Sequence, residues 1–132
     1  MSEIRFCRKC QFKASHFYWI PGLGEEENIR KFGEYINEHD HDWEVTLWLA
    51  GEINPQTGMV GDLIEVDLVI QEKIINVFHR SNINRAHPYF KEHLPTTEQM
   101  AVFFSRELKF QSVECVKIRV AESPNLFSEW IK

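Results

Sequence analysis

Long apolar runs are missing from the sequence. No stretch approaches the roughly 18 to 20 consecutive apolar residues that a membrane-spanning helix needs, so no segment reads as one. Cysteine is scarce, with three in 132 residues. Cys7 and Cys10 have the x2 spacing of a thiolate pair, but no second pair completes a four-thiolate zinc site, and the count is too low for a disulfide framework. Basic residues are in the minority: 15 Lys and Arg against 20 Asp and Glu give a net charge of −5. No basic stripe is present, which argues against a nucleic-acid partner, because duplex binding is led by clustered cations that neutralise phosphates. Internal repeats and low-complexity tracts are also absent. The opening MSEIRFCRKC contains no apolar segment of the secretory kind, so the chain reads as a reduced, cytoplasmic protein with no membrane partner.

What is present is ordinary globular composition, 43% apolar and 27% charged, at a length suited to one domain over residues 1–132. Residues 4–16 alternate: Ile4, Phe6, Cys10, Phe12 and Ala14 share one parity, with Arg8 as the exception. Residues 39–50 alternate too, with Trp43, Val45, Leu47 and Leu49 on one side. Both read as half-buried antiparallel strands. Residues 113–122 form a third, with Val116, Ile118 and Val120 on one face and Cys115, Lys117 and Arg119 on the other; Phe127 to Ile131 fit a short last strand.

Two helices lie between. Asp62 with Glu65 three residues on marks a helix start, followed by a stripe of Leu63, Val66, Ile70, Ile74 and Val77. Thr96 with Gln99 marks a second, burying Ala101, Phe104 and Leu108, with Met100 and Phe103 flanking. Residues 25–36, with Ile29, Phe32 and Ile36, suggest a helical turn or two, and 79–94 reads as a loop. The order strand, strand, helix, helix, strand, strand is α+β: an antiparallel sheet with two helices on one face. Its open edges invite closure by oligomerisation.

Three apolar faces run into titratable groups. The first strand's face extends to His16, the second's extends backwards to His41 and His39, and the third's extends forwards to Glu122. Buried polar groups are costly when isolated, so these ends define one polar pocket at the rim of the core. His39 and His41, at i and i+2 on a strand, point the same way and can share a metal; His16 from the neighbouring strand supplies a third imidazole. Three His with an open position is the catalytic form of a zinc site.

These residues carry a resemblance. Phe12-Lys13-Ala14-Ser15-His16, His39-Asp40-His41-Asp42-Trp43-Glu44-Val45, Thr57-Gly58-Met59-Val60-Gly61-Asp62-Leu63, Pro95-Thr96-Thr97-Glu98 and Val120-Ala121-Glu122-Ser123-Pro124 resemble, in order, the 6-pyruvoyl-tetrahydropterin synthase family. That family includes 6-carboxytetrahydropterin synthase of queuosine biosynthesis. The resemblance spans about residues 4–124. It implies the tunnelling fold (T-fold), in which trimers close a barrel and stack into a homohexamer. It implies Zn2+ on His16, His39 and His41, a pterin ring gripped by Glu122, and contacts from Thr96 and Thr97. The implied activity is a zinc-dependent lyase acting on the side chain of 7,8-dihydroneopterin triphosphate or a related pterin.

Departures from the family pattern concern proton transfer. The family's catalytic cysteine, four residues before the first histidine of His-Gly-His, is Tyr35 here, and the intervening glycine is Asp40. The family's Asp-His pair falls on Phe78-His79 in one register and on His79-Arg80 in another. Tyr35 and His79 are therefore the candidate acid–base residues, with Glu34 and Glu38 flanking; Cys10 shares the parity of His16 but reads as a small buried apolar residue, and His87 and His93 are loop residues with no pattern behind them. The alternative is a non-catalytic zinc protein of the same fold that binds a pterin or purine ring, or one in which Tyr35 or Trp19 closes the metal pocket.

Overall fold

The computed structural model describes residues 3–132. Alternation becomes two long strands, β1 (Ile4–His16) and β2 (His39–Gly51), paired antiparallel from Ile4 opposite Gly51 to His16 opposite His39. β2 continues antiparallel to β4 (Glu114–Ser123), and β4 to β5 (Leu126–Ile131). A two-residue strand, β3 (Ser81–Asn82), adds parallel to β1, so the sheet order is β3-β1-β2-β4-β5.

The helices cover one face. Asp62 caps α2 (Leu63–Ile70) by accepting from the Ile64 and Glu65 amides. Glu65 does not return to the cap; its carboxylate accepts from the backbone of Gln111 and Ser112, tying the helix start to the chain entering β4. Beyond Ile70 the helix passes through a π-helical turn (Gln71–Ile75) into α3 (Asn76–Phe78). The fully buried residues are Val66, Ile74 and Phe78, with Ile70 nearly so. Their constant spacing of four would drift around a helix of about 3.6 residues per turn, and the wider turn takes up the excess. Phe78, rather than the expected Val77, therefore fills the core position. α6 (Thr97–Glu107) and the residue after it bury Ala101, Phe104 and Leu108 as expected, and Met100 and Phe103, expected only to flank that side, are buried with them; Thr96 Oγ1 accepts from the Gln99 amide.

These side chains meet Trp43, Val45, Leu47, Leu49, Ile118 and Val120 of the sheet in one core. Fully burying a large apolar side chain contributes roughly 1.5–3 kcal/mol, so this interlayer is the main source of stability.

Several expectations need correction. Residues 79–94 are not a plain loop: they hold β3, α4 (Ile83–Ala86) and α5 (Tyr89–Glu92). Between β1 and β2, α1 (Glu25–Phe32) leaves Ile29 exposed and buries Asn28 instead. The Asn28 amide accepts from the Ile20 N–H and donates to the carbonyls of Ile20, Leu23 and Gly24, fastening the preceding turn to the helix. In β4 the register slips between Trp48 and Leu49, leaving Val116 as the extra residue and setting Cys115 opposite Leu49. The simple parity therefore fails at the start of β4, where Cys115 packs against the core.

Candidate functional site

At one end of the sheet the core face gives way to polar groups. Pairing puts His16 directly opposite His39, and Ala14 opposite His41, so the histidines of β1 and β2 converge. Ring centroids are 4.5 Å apart for His16 and His39, and 5.0 Å for each of the other two pairs. One nitrogen from each ring can be chosen such that all three lie within 4.8 Å of one another. Trp43 packs edge-on to His16 and His41 as the floor, held by its indole N–H donating to the Ala14 carbonyl at 3.1 Å.

Two of the rings have their far nitrogens fixed. His16 Nδ1 lies 2.8 Å from the Pro95 carbonyl oxygen and His39 Nδ1 lies 2.8 Å from that of Asn37. A carbonyl only accepts, so both rings carry their proton on Nδ1 and leave the Nε2 lone pair free. The Nε2 atoms of His16, His39 and His41 are all buried without a hydrogen-bond partner. Burial pushes His16 down to about 4, with the neighbouring His39 and His41 adding to the shift, and it lowers His41 in the same sense. Three imidazole nitrogens gathered in one hollow, with the lone pairs of His16 and His39 turned inward, are a donor set that suits a divalent cation such as Zn2+, and the residues fit that ion.

Glu122 reaches the same hollow from β4. In the β4–β5 pairing the register shifts between Ala121 and Ser123, making Glu122 the bulged residue. Such bulges re-aim side chains at the ends of sheets. One carboxylate oxygen is 3.0 Å from His41 Nε2, but off the line of a hydrogen bond, and the other is buried without a partner. Burial raises the Glu122 carboxyl; His39 pulls it back and Glu98 adds to the rise.

Thr96 and Thr97 lie at the start of α6, one residue beyond the Pro95 carbonyl that holds His16. The Thr96 hydroxyl caps the helix, and the buried Thr97 hydroxyl is shared between Glu98 and Ser128. Tyr35 is exposed, with its ring 5.5 Å from His39. It stands at the mouth of the cluster.

His79 is not brought there. Its Nδ1 accepts from the Lys13 backbone amide at 3.2 Å, and it lines a groove on the other face of the sheet with Lys13, Asp42 and Arg119. Glu38 is engaged by the Ser15 hydroxyl at 2.6 Å. None of the cysteines lies beside the histidines in the strand pairing; Cys10 pairs opposite Val45 and Cys115 opposite Leu49.

One residue of this end of the sheet was not anticipated. The Tyr18 ring is 5.1 Å from His16 and 6.1 Å from Tyr35, and burial followed by the Glu122 and Glu98 charges raises its hydroxyl. Tyr18 continues the parity of His16 by two residues, so the alternation that led to His16 also pointed to it.

A family model described as 6-pyruvoyl tetrahydropterin synthase matches residues 5–130. The human 6-pyruvoyl tetrahydrobiopterin synthase is 34% identical over 127 residues, covering 93% of this chain and 88% of the human protein. A putative 6-pyruvoyl tetrahydrobiopterin synthase of Caenorhabditis elegans is 31% identical over 134 residues, covering 97% of this chain and 95% of that one. Among solved structures, the 6-pyruvoyl tetrahydropterin synthase of C. elegans superposes with a TM-score of 0.90 at 24% identity, over 100% of this chain and 97% of that chain. This likeness shows the fold.

Proposed function

Because the chain belongs to the 6-pyruvoyl tetrahydropterin synthase family, we propose that it is a Zn2+-dependent lyase that works on the side chain of 7,8-dihydroneopterin triphosphate or a closely related pterin. The observation that carries this reading is the set of three buried Nε2 atoms without partners, gathered on one side of the Glu122 carboxylate. His16, His39 and His41 would hold the ion. When bound, the metal supplies Lewis acidity to hydroxyls of the substrate side chain.

The remaining work belongs to the chain. Glu122 accepts two N–H bonds from the guanidine-like edge of the pterin, a planar match that sets the ring's orientation. Trp43 and Tyr18 close the hollow against water. Tyr35, next to His39 and open to solvent, is placed to exchange protons with the side chain of a bound pterin. On this reading His16, His39 and His41 serve the metal and Glu122 the ring, while proton transfer rests on a phenol where the family pattern has a thiol.

That substitution favours a second reading, a zinc protein that binds a pterin without transforming it. The specific observation is that Phe78, which takes the aspartate position of the family pair in one register, is fully buried in the core. His79, for its part, faces away from the histidines.

One experiment separates the two. The zinc-loaded protein is incubated with 7,8-dihydroneopterin triphosphate and free triphosphate is measured. Release above the buffer rate, lost in His16→Ala together with the zinc, supports the lyase; saturable pterin binding without release supports the second reading. Stoichiometric zinc retained by His16→Ala would remove both.

A further inference from the structure

β1 ends at His16, yet the backbone just beyond it stays tied. The parallel pairing with β3 stops at Ser15 and Asn82, because the chain turns into α4 at Ile83. Backbone groups leaving a sheet need new partners, and the Asn84 side chain takes the place of the missing strand. Its Oδ1 accepts from the Phe17 N–H at 3.0 Å and its Nδ2 donates to the Phe17 carbonyl at 2.9 Å. Asn84 is itself fixed, since its N–H donates to Asn82 Oδ1 at 3.0 Å. On the other side of the chain the Tyr18 N–H donates to the Tyr35 carbonyl at 2.8 Å. Asn28 repeats the device at Ile20, accepting from its N–H at 2.7 Å and donating to its carbonyl at 3.2 Å.

These ties fix the direction of Tyr18. Along an extended path side chains alternate, so the residue two beyond His16 turns to the same face. The Tyr18 ring stands edge-on to two of the three imidazoles, 5.1 Å from His16 and 6.3 Å from His39, with Phe32 behind it at 5.7 Å. Burial and then the Glu122 and Glu98 charges act on its hydroxyl, which places that end of the ring toward the two carboxylates. Trp43 covers His16 and His41, and Tyr18 covers His16 and His39.

We propose that Tyr18 is a specificity-determining residue of this site, a wall that limits the bulk of a ligand between the three imidazoles and Glu122, and that Asn84 positions it. The proposal rests on the reading of His16, His39 and His41 as a zinc site and adds the residue that sets the room beside the ion. Asn84 touches none of the reacting groups; it acts through the Phe17 peptide, and so through the path on which Tyr18 stands.

The test uses the full-length, zinc-loaded protein in whatever assembly it forms, with 1,10-phenanthroline as the probe. Zinc transfer is followed at several phenanthroline concentrations. The part of the rate proportional to phenanthroline reports access to the ion, and the part independent of it reports spontaneous release. The proportional part should rise about tenfold or more in Tyr18→Ala, rise in Asn84→Ala, and stay within about twofold of wild type in Tyr18→Phe, which keeps the ring. Because Asn84 acts through Tyr18, the double variant should exceed Tyr18→Ala by no more than about twofold. Tyr18→Leu and Asn84→Asp, the latter keeping only the acceptor for the Phe17 N–H, stand in for either alanine variant that circular dichroism shows to be unfolded. The proposal is overturned if removing the ring leaves the proportional part unchanged, or if Tyr18→Phe matches the rise. It is also overturned if the Asn84 effect adds in full to that of Tyr18, or falls only on spontaneous release. Wild type that takes up no zinc overturns the metal reading and the proposal together, a failure distinct from the others because it appears before any substitution is made.

Discussion

His41 and Glu122 meet at 3.0 Å across the end of the sheet, although they lie 81 positions apart in sequence. The imidazole belongs to β2 and the carboxylate to a bulge in β4, and neither completes a hydrogen bond with the other. Buried atoms with unused bonding capacity, His41 Nε2 and Glu122 Oε1, make the start of a binding surface.

Removal of the Glu122 charge should therefore act on ligand affinity. Glu122→Gln keeps the side-chain shape and loses one acceptor of a charge-assisted pair, worth about 1.5–3 kcal/mol. Calorimetry with neopterin should show a roughly 10- to 100-fold weaker Kd, with zinc content unchanged. Equal affinity for wild type and variant would take Glu122 out of ring recognition.

Thiol chemistry should be dispensable. Burial pushes the Cys10 thiol up to about 12 and Cys115 up to about 11, so neither forms a reactive thiolate near neutral pH. Cys7 is exposed. Iodoacetamide followed by mass spectrometry of the native protein should find the label on Cys7 alone, with triphosphate release unaffected. Loss of turnover on labelling would show that a cysteine takes part.

Gly61 is fixed by two demands at once. Its φ is +77°, and a β-carbon there would lie 2.1 Å from Val113 Cγ1, beside the loop that Glu65 holds. Gly61→Ala should cost about 2 kcal/mol or more, from backbone strain and overpacking together. Urea denaturation would reveal this as a lower midpoint; an unchanged midpoint would mean that the loop yields freely.

The Glu65 carboxylate is held below the ordinary carboxylate range, first by the Ser112 hydroxyl and then by the amides of Gln111 and Ser112. A carboxyl whose pKa is lower folded than unfolded stabilises the fold above the unfolded value, and that contribution disappears as pH falls through the folded value. Glu65→Gln should lower the melting temperature at pH 7, and the gap from wild type should close on acidification. A gap that stays constant from about pH 7 to pH 3 would assign the loss to shape rather than to charge.

Much of the fold was readable from alternation because the sheet is antiparallel and buries one face. Parity then carried the reading from Phe12 to His16, from Trp43 back to His39 and from Val120 to Glu122. What escaped had no period to betray it. β3 has two residues, and α4 and α5 have four each, too short for any pattern. The Val116 bulge reverses parity without a residue type that announces it. Asn28 is buried for its amide bonds, which no hydropathy pattern records. His79 matched a family position, yet which face of the sheet it would occupy depended on Arg80 turning the chain back onto β1.

The wide turn at Gln71–Ile75 sets the rotational phase of everything that follows it. Excision of one solvent-facing residue there, such as Lys73, would leave Val66, Ile70, Ile74 and Phe78 spaced four, three and four apart, the stripe of an ordinary helix, so the turn would close to the tighter pitch with the downstream segment still in phase. Phe78 would keep its place in the interior, and the short edge strand after it its alignment with Ala14 and Ser15. A codon lost inside the wide turn would thus be absorbed there, whereas the same loss in the regular turns before it would be felt at the strand that presents His16.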